Sequence, residues 1–102
     1  MRNAMARACD ISTKVKKEVW ERDEHLCVVC GRNHDVMPNA HYIRRSQGGL
    51  GIPQNVVTLC RECHRKFDFE HDEAIKDKIV DYLISCYPDW DESKLYYHKW
   101  DF

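Results

Sequence analysis

The sequence predicts a small α+β domain built on two short strands and clamped by cysteines. Two Cys-x-x-Cys pairs, Cys27 with Cys30 and Cys60 with Cys63, bracket residues 31–59. Between them lie two short β-prone runs, AHYI at 40–43 and VVTL at 56–59, separated by the turn-rich SQGGLGIPQN. Apolar residues at helical spacing precede the first pair and follow the second.

In chain order, a helix is expected over residues 13–23, where Val15, Val19 and Trp20 fall on one side and Ser12 is placed to cap the first turn. Gly31 follows Cys30 and lets the backbone turn under the sulfurs. The runs 40–43 and 56–59 are expected to pair as antiparallel strands with a long loop between them. After Cys63 the charged stretch HRKFDFEH begins another helix. Ile75, Ile79, Tyr82, Leu83 and Cys86 then form an apolar stripe within 72–86, which Pro88 ends. The tail PDWDESKLYYHKWDF is acidic and aromatic, suited either to packing back on the domain or to meeting a partner. One domain over 1–102 is expected, with a clamped core at 11–70 and a C-terminal helix and tail at 71–102. A chain of 102 residues buries only a modest core, so a staple would help it fold.

The net charge of -1 conceals a strong asymmetry. Residues 1–66 carry 12 Lys and Arg against 7 Asp and Glu, whereas residues 67–102 carry 4 against 10. A basic front half fits a polyanionic partner, because phosphate contacts need Lys or Arg. No run approaches the roughly 18 to 20 apolar residues of a membrane helix, and the N-terminus lacks the apolar centre of a secretion signal. A cytoplasmic location without membrane contact is therefore expected, where six cysteines serve metals or remain free thiols rather than forming disulfides.

A tetrahedral four-thiolate zinc site is the reading that uses both cysteine pairs. The alternatives are disulfides and, for Cys60-Arg61-Glu62-Cys63-His64, c-type haem attachment, which leaves the first pair unexplained. Cys9 and Cys86 have no partner at ligand spacing. Zinc held by four sulfurs has no open position, so any chemistry belongs to the segment that it clamps. There His41, Asn55, His64 and Asp68 stand out. His64 and Asp68 are four apart on the expected helix, share a face, and can reach one divalent cation.

The stretch AHYIRRSQGGLGIPQNVVTLCRECHRKFD resembles the HNH endonuclease family, in its zinc-knuckle form from phage and bacterial genomes, over about residues 11–70. The resemblance implies a ββα-metal (His-Me finger) nuclease core with flanking helices. It implies that His41 is the general base, Asn55 the middle asparagine and His64 a ligand of a catalytic Mg2+, Mn2+ or similar ion. Ala40 departs from the family, which often has a ligand before the general base, and Asp68 is the expected replacement. DNA is the implied partner, with Arg44 and Arg45 placed to meet phosphates. Gly48, Gly49 and Gly51 fit a sharp loop, and Asn55 is expected to hold that loop and orient the His41 strand. The histidines at 25, 34, 71 and 98 have no spacing that demands a ligand role, and the aromatic residues read as core or tail packing. Other readings are a zinc-stabilised DNA-binding module with a decayed or partner-dependent nuclease site, and a protein-interaction module using the tail. A homodimer, or a phage or defence partner protein, is compatible with the small size.

Overall fold

The computed structural model describes residues 3–98. Two helices open the chain, each with a side-chain cap. Asn3 accepts from the Ala6 N–H at 2.8 Å to start α1 (Ala4–Cys9), and Ser12 accepts from the Val15 N–H at 3.1 Å to start α2 (Thr13–Arg22). After α2 the chain turns through Glu24 and His25, both at positive φ, into the first cysteine pair. Gly31, at φ 77°, closes that knuckle by donating to the Cys27 carbonyl at 2.9 Å.

Strand β1 (Val36–His41) pairs antiparallel with β2 (Val56–Cys60) in a two-stranded sheet. The sheet starts earlier and ends earlier than the run at 40–43 implied. Met37 faces Leu59 while Ala40 faces Val57, so β1 carries one extra residue and bulges at Pro38 and Asn39. A bulge is one of the few strand positions that tolerate proline, and this proline is what hid the strand's first half. Beyond His41 the ladder is replaced by one residue. The Tyr42 N–H donates to the Asn55 backbone carbonyl at 2.8 Å, and the Ile43 N–H donates to Asn55 Oδ1 at 2.7 Å.

The stretch after Cys63 forms two helices. Cys60 caps α3 (Arg61–Phe69), with its sulfur accepting from the Cys63 N–H. At Glu70–Asp72 the path breaks, with His71 at φ 51°, and Asp72 then caps α4 (Glu73–Cys86) by accepting from Ile75 N–H at 3.1 Å. Helix α4 lays Ile75, Ile79 and Leu83 on a core with Leu59, Val57 and Phe67.

The tail packs back as far as Tyr97, whose N–H donates to the Gly48 carbonyl at 2.7 Å; its last residues, 99–102, lie outside the described ones. Leu95 is 1% exposed, its carbonyl accepts from Leu50 N–H at 2.8 Å, and the indole of Trp90 donates to the Gln54 carbonyl at 2.8 Å. Buried Asp23 joins α2, β2 and α4 by accepting from Arg22, from the Thr58 N–H and from Tyr82 Oη. Such a buried carboxylate is tolerable because its charge is paired and its oxygens are hydrogen-bonded. Among the described residues no helix is long and apolar enough to cross a membrane.

Candidate functional site

The first knuckle and the start of α3 bring four sulfurs together. The Sγ atoms of Cys27, Cys30, Cys60 and Cys63 lie within 4.8 Å of one another, and those of Cys30 and Cys60 are 3.6 Å apart. A tetrahedral zinc ion with Zn–S bonds of about 2.3 Å separates its sulfurs by about 3.8 Å, so the donor set fits. Burial opposes ionisation of Cys27, but the N–H groups of Cys30, Cys60 and Val29 outweigh it and bring the thiol down to about 7. Burial and the crowding sulfurs push Cys63 strongly upward, a conflict that a bound cation would resolve by holding all four as thiolates. Among the described residues this is the one such cluster of metal-binding groups.

The second cysteine pair also sets where α3 begins, with Cys60 as its cap, and so places His64 and Asp68. Their Nε2 and Oδ2 atoms are 2.9 Å apart, one helical turn along α3, with each side chain about a third exposed. They face β1 and the loop after it across a groove of about 440 Å³, lined also by Asn39, His41, Arg44 and Arg45. Ala40 is 1% exposed within the core and brings no donor to this groove.

His41 Nε2 lies 2.8 Å from the backbone carbonyl of Cys9. A carbonyl only accepts, so Nε2 carries the proton and Nδ1 keeps its lone pair. Burial is the main influence lowering the pKa of His41; the Cys9 carbonyl opposes it, and the Arg45 charge lowers it further. The imidazole is therefore neutral at physiological pH. Arg45 in turn pairs with Asp10 at 2.8 Å, so α1 and the residue after it brace both groups.

Asn55 is fully buried and uses its whole amide. Besides accepting from Ile43 N–H, it donates from Nδ2 to the carbonyls of Ile43 at 3.1 Å and Leu50 at 2.8 Å. Both ends of the loop from 42 to 55 are thereby tied to one side chain, at the point where β1 leaves the ladder. Arg44 Nη2 donates to the Asp68 carbonyl at 2.7 Å and to His71 Nδ1 at 2.8 Å, which fixes the guanidinium beside α3.

Cys9 and Asn39 escaped sequence reasoning, and His71, weighed there only on an unbroken helix, reaches Arg44 by another route. Cys9 acts through its backbone, which carries no side-chain signal. His71 arrives through the break after α3, which no proline or glycine announces. Asn39 stands two residues before His41 on the same strand, and its buried Oδ1 has no hydrogen-bond partner.

A two-stranded sheet and a helix joined by four cysteines placed to bind a metal ion, with histidines on the strand and the helix, define a small α+β protein. The chain belongs to the HNH endonuclease family, whose sequence model matches residues 27–80. It is also 35% identical over 54 residues to a protein named anaredoxin from Nostoc sp. (strain PCC 7120), a match covering 53% of this chain and 71% of that relative. No solved structure matches the chain significantly.

Proposed function

We propose that the chain is a metal-dependent DNA endonuclease with a ββα-metal core, in which His41 is the general base for phosphodiester hydrolysis. The observation that carries this reading is the convergence of His41, Arg44, Arg45, His64 and Asp68 on one groove in a chain of this family.

His64 and Asp68 are the residues that would hold a divalent ion such as Mg2+ or Mn2+. An imidazole nitrogen and a carboxylate oxygen 2.9 Å apart suit a partly hydrated cation, which keeps most of its shell for water and phosphate. When bound, such an ion supplies charge stabilisation to the phosphoryl oxygens and the departing 3′ oxygen. Neutral His41, anchored through Nε2–H, offers Nδ1 to the proton of the attacking water. Arg44 and Arg45 bring positive charge to the phosphate, and the Asp68 carbonyl and His71 keep Arg44 oriented before DNA arrives. Asn55 acts indirectly, as a positioning residue for the His41 strand and the arginine loop. The four thiolates hold zinc with no open position and serve structure alone.

Supercoiled plasmid incubated with protein freed of loosely bound metal tests this reading, with Mg2+, Mn2+ or Ni2+ added back. Metal-dependent nicking by a chain that retains zinc is the expected result. Ala40 favours a second reading, a zinc-stabilised DNA-binding module whose nuclease site has decayed or awaits a partner. That module binds DNA in a salt-sensitive way and nicks it under no metal.

A further inference from the structure

The groove over His64 and Asp68 does not end there. A second, larger hollow of about 730 Å³ shares Asn39, His64, Asp68 and Phe69 with it, so the two form one continuous trough. The first half carries His41, Arg44 and Arg45; the second adds Trp20 and Met37 to the Phe69 that both share. Met5, Met37, Phe69 and Ile84 are the large apolar side chains left exposed among the described residues. Two of these, Met37 at 59% and Phe69 at 79% exposure, stand in this hollow. Trp20, expected from the sequence to pack in the core, is only half-buried and lines the hollow.

We propose that this apolar half is a nucleobase subsite, taking an unpaired base of the polynucleotide whose phosphate lies over His64 and Asp68. The inference rests on the nuclease reading and narrows its substrate to DNA with an unpaired or flipped nucleotide beside the scissile phosphate. A nucleotide joins an anion to a flat apolar ring within one short unit, and the trough joins an arginine-lined groove to an aromatic wall in the same way. Base stacking on aromatic side chains is the usual means of holding unpaired nucleotides. Trp20 is already braced for it, since its ring is stacked on His25 with centroids 4.6 Å apart and planes 11° from parallel. A platform held before binding avoids the cost of ordering it afterwards. Arg61 and Arg65 line this half beside Asp35 and Asp68, as Arg44 and Arg45 line the other, so each half offers an arginine to the strand's phosphates. Arg65 is paired with Glu70, while Arg61 has no ion pair among the described residues. Asn33, Asn39 and Asp35 supply amide and carboxylate groups to meet base edges. A paired duplex keeps its bases stacked inside and fills only the half lined by Arg44 and Arg45.

The test uses fluorescence anisotropy on the whole zinc-loaded chain, without added Mg2+ or Mn2+. Three oligonucleotides serve as probes: a paired duplex, the same duplex with one unpaired thymidine, and the same with an abasic residue at that position. The unpaired thymidine should tighten binding about tenfold over the abasic probe. Phe69→Ala and Met37→Ala, each checked for zinc content and melting temperature, should bring that ratio close to one. Equal affinity for all three probes overturns the subsite and leaves the nuclease reading standing, whereas failure to bind any probe overturns both. A wild-type dimer on sedimentation that Phe69→Ala converts to monomer gives the wall to a second copy of the chain and overturns the base.

Discussion

The imidazole of His41 is tied to a residue 32 positions earlier, through a 2.8 Å hydrogen bond from Nε2 to the backbone carbonyl of Cys9. This single contact selects the tautomer of the proposed base and makes α1 part of the site. The contact depends on Gly51. Its N–H donates to the Ala8 carbonyl at 3.0 Å, and a Cβ there would sit 2.0 Å from the Asp10 carbonyl oxygen. Gly51→Ala must push α1 and the Cys9–Asp10 corner away from the loop. Initial-rate assays should show a loss of cleavage of about 100-fold, the usual consequence of displacing a catalytic group by about 1 Å. Zinc content should not change, because the cysteine pairs lie elsewhere.

Activity should follow the protonation of His41. The base works only when neutral, and burial places its pKa below the ordinary imidazole value of about 6.5. Cleavage should therefore be lost as pH falls through the acid side of that value and reach its plateau by about pH 7. An ascending limb that continues well above neutrality in the pH–rate profile would show that another group is the base.

Asn55 satisfies three backbone groups with one buried amide. Asn55→Ala strands Ile43 N–H and the Ile43 and Leu50 carbonyls, at a cost of about 1 to 3 kcal/mol for each group that water cannot reach. Urea unfolding of the zinc-loaded chain should give a total loss of about 3 to 5 kcal/mol. Nicking should fall further than the folded fraction does, since Arg44, Arg45 and His41 are all set by that loop.

Zinc should decide whether the chain folds. Apparent binding energies of about 10 to 16 kcal/mol for structural zinc equal or exceed the whole stability of a small domain, about 5 to 15 kcal/mol. Cys63→Ser, or a strong chelator, should abolish the cooperative thermal transition seen by circular dichroism. A metal-free chain that melts at the same temperature would contradict the clamp.

Much of this arrangement is legible in the sequence because the features that mark it are local. The cysteine pairs announce themselves by spacing, Ser12 marks the start of α2, and the β-prone run at 56–59 gives β2, all of whose residues are buried. Where long-range contacts decide the outcome, the sequence is silent. Pro38 argues against a strand and is absorbed by a bulge that only pairing with β2 creates. Helix α1 shows no amphipathic stripe and is recognisable only once its C-terminal end meets Gly51 and His41. The break at His71 carries neither glycine nor proline, and it is what brings that imidazole to Arg44. The trough joins Trp20 on α2 to Phe69 at the end of α3, residues whose proximity no periodicity encodes.

The most direct measurement is the rate of plasmid nicking by His41→Ala beside wild type, with Mn2+ present and zinc content matched. His41 acting as general base predicts a fall of about 100-fold to 10,000-fold with DNA affinity retained. Equal rates would show that the groove cuts without His41, or that the nuclease lies outside it.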